Sequence, residues 1–165
     1  MKTLACLLVS VTLPVSFALA EKDPFTGVWN LKVQESRYPH GDCPKRMRIE
    51  MESVGEGVRY RSETIDKNGS SRRAEYTAGY DGREAIVTGT AGLMMPVSLK
   101  RLNSHIVVAS YRRALQVRAT SRRVVSSDGR IMTITTVSRD RNGKVVTNVG
   151  VYERAAPDWK PRGPR

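Results

Sequence analysis

The sequence predicts an all-β protein, a closed up-and-down antiparallel β-barrel of about ten strands (eight to ten). Three observations predict it. Apolar and polar residues alternate with period two in one short run after another. Asn-Gly and Asp-Gly pairs, the strongest short-range hairpin signals, punctuate those runs. No segment of the mature chain carries a helical period.

The chain opens on an expected export leader, residues 1–20. Lys2 supplies the positive start, Leu4 to Leu13 is apolar, Pro14 ends that run, and Ala18-Leu19-Ala20 has the small-x-small form of a cleavage site. The run is too short to span a bilayer. Cleavage after Ala20 would send a protein beginning at Glu21 to the periplasm or the medium, with no transmembrane segment. Residues 21–154 are expected to form one barrel domain. Residues 155–165 form a Pro- and Arg-rich tail that contains Trp159 and is expected to be flexible.

Within the domain, Gly27–Val33 is the first strand. Arg46–Ser53 is the cleanest: Met47, Ile49 and Met51 share one face, and Arg46, Arg48, Glu50 and Glu52 the other. Gly55-Glu56-Gly57 turns the chain into Val58–Asp66, Asn68-Gly69 into Ser71–Ala78, and Asp81-Gly82 into Arg83–Thr88. A looser stretch, Gly89–Met95, precedes Pro96–Leu102, and Asn103-Ser104 leads to His105–Arg112. Leu115–Ser126, the Asp128-Gly129 turn, Arg130–Arg139, the Asn142-Gly143 turn and Val145–Arg154 complete the series. Local hairpins make a meander, and closing a meander removes two exposed edges that would otherwise template aggregation. A sandwich would need longer crossovers, and only Gln34–Pro44 and Gly89–Met95 could serve.

A domain of this size removes roughly two-thirds of its unfolded surface from water, so it needs no disulfide. Once Cys6 leaves with the leader, Cys43 is a lone thiol, read as a tolerated loop cysteine. The formal charge is +12, and arginine far outnumbers lysine. Such a surface attracts anionic lipids, glycans or nucleic acid without specificity. The arginines are spread over every strand, which favours solvated strand faces over one organised anion-binding surface.

Catalytic and metal-binding patterns do not emerge. His40 and His105 are isolated, and no His, Cys or carboxylate cluster has ligand spacing. No Gly-x-Ser-x-Gly elbow occurs. Glu50 and Glu52 share their face with Arg46 and Arg48, which reads as a charged exterior. Asp140-Arg141-Asn142-Gly143 lacks the downstream acid of a calcium loop, and Gly89-Thr90-Ala91-Gly92 lacks the helix of a phosphate loop. The reading is a non-enzymatic protein with no cofactor and no metal.

Strand pairing gives a candidate site. If Asp128-Gly129 and Asn142-Gly143 are both two-residue turns, Tyr152 lies opposite Thr133, and Thr133 opposite Val124. One face then collects Arg118, Thr120, Arg122, Val124, Ile131, Thr133, Thr135, Val137, Asn148, Gly150 and Tyr152. Turned inward, it makes a hydroxyl-rich lumen in which Arg122, Tyr152, Arg118, Thr133 and Asn148 bind the ligand. A slip of one residue at either turn would invert the assignment.

The opening Phe25-Thr26-Gly27-Val28-Trp29-Asn30-Leu31 resembles that of the calycins, the lipocalins and intracellular fatty-acid-binding proteins. The resemblance implies a strand bent at Gly27 and a barrel end plugged by Trp29, with Phe25 part of the same motif. The ending Val151-Tyr152-Glu153-Arg154 is similar to the last strand of the fatty-acid-binding branch, whose Tyr faces the ligand. The mature chain also resembles small exported bacterial proteins that begin Asp-Pro-Phe-x-Gly-x-Trp and end Val-Tyr-Glu. Two departures stand out. Gln34–Pro44, with Pro39, Gly41 and Pro44, replaces the branch's helical lid. Its two ligand-binding arginines fall on Val124 and Gly150, so only Tyr152 survives.

The expected function is lumenal binding of a small amphipathic or anionic molecule by a monomeric exported barrel with no specific nucleic-acid partner. The alternative is a structural or interaction protein of the cell envelope, with a filled barrel and a basic, anion-binding exterior.

Overall fold

The computed structural model describes residues 23–39, 41–114 and 116–156. The expected leader and its Cys6, His40, and the tail from residue 157 onward lie outside the described residues. Ten strands follow in order: β1 Gly27–Leu31, β2 Arg46–Val54, β3 Gly57–Ile65, β4 Ser71–Gly79, β5 Asp81–Gly89, β6 Leu93–Asn103, β7 Ile106–Arg113, β8 Gln116–Val125, β9 Ile131–Arg139 and β10 Val145–Arg154. Each pairs antiparallel with its neighbours in sequence, and β1 joins β10 to close the barrel. The joint runs through Trp29, which faces Ile49 of β2 on one side and Arg154 of β10 on the other.

Alternation places the core. Ile49 and Met51, Val97 and Leu99, Val107 and Ala109, and Met132 point inward and are buried. Around the plugged end, Trp29 is wholly buried and its indole N–H donates to the Phe25 carbonyl at 3.0 Å. The Arg154 guanidinium lies 4.1 Å from the Trp29 ring centroid and donates to the carbonyls of Pro24 (2.5 Å), Gly129 (2.6 Å) and Thr26. Arg101 holds the same segment from the opposite wall, through Asp23 at 2.5 Å and over the Tyr80 ring at 4.0 Å. Two arginines thus strap Asp23–Thr26 across the barrel floor. Gly27 permits it: its φ is +135°, and a Cβ there would meet the Arg154 guanidinium at 2.5 Å.

The other end carries the 32–45 connection, which holds one short 3₁₀ turn, Val33–Glu35, and a bridge from Arg37 to Val149. Among the described residues no long helix covers this mouth.

The turns differ from expectation in length, and the consequences are large. At Asn68-Gly69 and Asn142-Gly143 the loops have three residues. Asp66 N–H donates to Ser70 O and Asp140 N–H to Lys144 O, both at 2.9 Å. Only the glycines adopt positive φ, +91° at Gly69 and +79° at Gly143. These are type I turns followed by a left-handed residue, not the mirror-image two-residue turns. Asp128-Gly129 sits in a four-residue loop closed by Ser126 N–H on Ile131 O at 2.8 Å. An even loop keeps the expected register, with Val124 opposite Thr133. The odd loop at Asn142 does not, and Tyr152 lies opposite Met132 rather than Thr133. The expected Asp81-Gly82 turn is also displaced: the chain reverses at Tyr80, and Asp81 and Gly82 already belong to β5.

Candidate functional site

The one-residue slip turns the expected lumen face inside out on two strands. With Tyr152 inward on β10, the inward residues of β9 are Met132, Ile134 and Thr136, and those of β8 are Ser121, Arg123 and Val125. Arg118 and Arg122 are exposed on the outer wall, and Thr133 shares that wall with Val124 and Val151. The structure therefore corrects the face assignment at Arg118, Arg122 and Thr133. Tyr152 and Asn148 do line the lumen. The cation inside is Arg123, which the expected register puts outside.

A cavity of about 190 Å³ occupies the upper lumen. Its walls are Tyr60, Tyr111, Ser121, Arg123, Ile134, Thr136, Asn148 and Tyr152, with Met47 from β2 and Tyr38 reaching in from the 32–45 connection. Small residues make the space. Ala109 and Ser121 are direct cross-strand partners, and Gly150 has no side chain. A Cβ on Gly150 would meet the Tyr152 ring at 2.7 Å, so any side chain there would have to displace this tyrosine.

Arg123 is the unusual group in this cavity. It is 2% exposed. One terminal nitrogen donates to the Tyr111 hydroxyl at 3.0 Å. Its guanidinium carbon lies 4.9 Å from the Tyr60 ring centroid and 6.0 Å from that of Tyr76, two rings stacked at 4.8 Å. Arg123 Nε is buried with no hydrogen-bond partner, while Tyr76 helps to hold the charged guanidinium. No carboxylate lines the cavity. A guanidinium stays charged at any pH the fold survives, so this is a buried cation held by phenols without a counter-charge among the described residues.

Tyr60, Tyr76 and Tyr152 stay neutral. Burial pushes Tyr60 up to about 12, against the opposing pull of the Arg123 cation. Burial likewise raises Tyr76 and Tyr152 well above the ordinary tyrosine range. Neutral phenols donate hydrogen bonds. The Ser121 and Thr136 hydroxyls bond each other at 2.7 Å and the Tyr152 hydroxyl donates to Met47 Sδ at 3.2 Å, so Arg123 Nε, with the second proton of the Ser–Thr pair, is the donor set left for an anionic oxygen.

A larger depression of about 620 Å³ lies on the outer wall of β2–β5, where it is bordered by Arg48, Glu50, Arg61, Glu63, Arg73 and Glu75. Three arginines and three glutamates border it, with Arg48 on Glu50 at 3.5 Å and Arg73 on Glu63 at 3.2 Å, so it carries no net charge to select an ion. Among the described residues no three His, Cys, Asp or Glu side chains gather as metal ligands, and no helix is long and apolar enough to cross a membrane.

No family model matches the chain, and no curated protein does. Solved structures do. The zebrafish ileal bile acid-binding protein complexed with cholic acid is similar with a TM-score of 0.55 at 11% identity, over 80% of this chain and 99% of that one. Rv2717c from M. tuberculosis gives 0.48 at 14%, over 81% and 94%. Apocrustacyanin C1 gives 0.39 at 13%, over 81% and 62%. Identities this low speak only to architecture, and the architecture is calycin-like, a closed antiparallel barrel of the lipocalin and fatty-acid-binding type.

Proposed function

We propose that this protein is an exported, non-enzymatic carrier that holds a small organic anion in its lumen with the acid group on Arg123. One observation carries the proposal: a fully buried guanidinium whose Nε has no partner, in a cavity without a carboxylate. Burying a cation costs several kcal/mol unless an opposite charge or a full set of acceptors meets it. An incoming anion would supply both. The zebrafish barrel complexed with cholic acid is an instance of this frame in complex with a small organic acid. The present cavity is smaller than a drug-sized site and would hold a compound of roughly six to ten non-hydrogen atoms. The lining offers donors and apolar contacts and no group that changes protonation near neutral pH, which supports binding over acid–base catalysis. The leader-like residues 1–20 support export.

Calorimetric titration with benzoate and octanoate against their neutral amides tests the reading. The acids should bind and the isosteric amides should not. Equal binding of acid and amide, or no binding of either, would overturn it.

A further inference from the structure

The charges of this barrel are sorted by strand. On β2–β5 the outward arginines stand among carboxylates and pair with them: Arg59 with Glu52 at 3.4 Å, Arg61 with Glu52 at 3.5 Å, and Arg73 with Glu63 at 3.2 Å. From Leu93 to Ser127, through β6, β7 and β8, there is no aspartate or glutamate, and β9 has none either. The outward positions of these strands hold Lys100, which stands opposite Asp81 of β5, and Arg118, Arg122 and Arg139, all exposed, among Ser98, Ser110, Thr120, Thr133 and Thr135 and the exposed apolar Val117 and Val137. Arg118 and Arg122 form no ion pair among the described residues. Arg112 reaches the neighbouring β5 through Glu84 at 3.3 Å.

We propose that this acid-free outer wall of β6–β9 docks an acidic polysaccharide. The spacing fits a chain whose charges are separated by neutral sugar hydroxyls. Lys100, Val108, Arg122 and Thr135 form one cross-strand row, which puts Lys100 about 10 Å from Arg122, two strand spacings away. Arg118 and Arg122 lie four residues apart on one strand, about 13 Å. Val108 stands between Lys100 and Arg122, Thr120 between Arg118 and Arg122, and Ser110 lies directly opposite Thr120. Guanidinium forks suit uronate carboxylates, and Ser and Thr hydroxyls exchange hydrogen bonds with sugars. Single-stranded nucleic acid is a poorer fit, because its binding sites rely on exposed aromatic platforms. The only aromatic of β6–β9, Tyr111, lines the lumen. A bilayer is a poorer fit for the same reason, and because a convex wall meets a plane along a line.

Retention on polygalacturonate-agarose is the test, with dextran-agarose as the neutral reference. The full chain should be retained on the acidic gel only and released by moderate salt. Arg118→Gln with Arg122→Gln should weaken binding about tenfold, each exposed contact being worth a factor of roughly two to five. Arg59→Gln with Arg61→Gln removes the same charge from the paired wall and should change binding less than twofold. Equal losses in the two pairs would show that net charge alone binds the polymer. That result, no loss in the first pair, or tighter binding of anionic phospholipid vesicles or single-stranded DNA than of soluble polygalacturonate would overturn the proposal. Arg123→Met should leave retention intact, which separates this wall from the lumen.

Discussion

Arg123→Met is the most informative single substitution. Methionine has a similar reach without the charge, so it leaves little void. In the unliganded barrel the guanidinium gains one charge-assisted hydrogen bond to Tyr111, worth about 1.5–3 kcal/mol. It also gains a cation–π contact with Tyr60, about 2 kcal/mol where water is excluded. Against these stand several kcal/mol of desolvation and about 1–3 kcal/mol for the unpartnered Nε. Burial opposes the charged form, but Tyr76, Tyr111 and Tyr60 together hold the guanidinium above its ordinary range, and the balance is near zero. The variant should therefore unfold in urea within ~2 kcal/mol of the parent, while carboxylate binding falls at least thirtyfold, the cost of removing one partner of a buried charge pair. A destabilisation above ~3 kcal/mol would show that the phenols already satisfy the cation and leave no demand for an anion. Unchanged benzoate or octanoate affinity would refute the site itself.

Other substitutions probe the frame. Trp29→Ala should cost about 3–5 kcal/mol in chemical denaturation, because the ring is wholly buried and Arg154 stacks on it; a loss below ~1 kcal/mol would mean that it is no plug. Gly27→Ala should cost about 1–3 kcal/mol, since φ is +135° and the guanidinium in the way is tied to three carbonyls. Alkali should destabilise the barrel in a defined window. Tyr60 stays protonated in the fold up to about 12, while an unfolded tyrosine ionises near 10. Between those values the unfolded chain binds fewer protons than the folded one, so stability is intact below pH 10 and falls as pH rises, by up to ~1.4 kcal/mol per pH unit for each buried phenol. Urea midpoints that stay level from pH 9 to 11.5 would contradict the burial of Tyr60, Tyr76 and Tyr152.

The frame is legible in the sequence and the lumen is not, for one physical reason. Period-two alternation marks a strand wherever one face is buried, and Val145–Arg154 can be bounded to the residue from it. Barrel closure follows from the edges that an open meander would expose. Lumen identity depends instead on the parity of each loop, and Asn-Gly serves both even and odd loops. In both three-residue loops an aspartate stands two positions before the asparagine, Asp66 and Asp140. The Asp140 carboxylate accepts the N–H groups of Asn142 and Lys144, each at 2.9 Å, which stabilises the longer loop. That aspartate was the available signal. A second lay on β9, where Met132 and Ile134 on one face against Thr133 and Thr135 on the other favour the register found. On β8 no such vote is possible. Arg122 and Arg123 are adjacent, so either register carries a guanidinium inward, and hydrophobicity cannot say which. What decides between them is the neighbours. Arg123 faces aromatic rings that can bear a cation, whereas Arg122 lies between Val108 and Thr135, where only water can solvate it. A buried charge is thus located by the residues that tolerate it, and those come from strands far apart in the sequence.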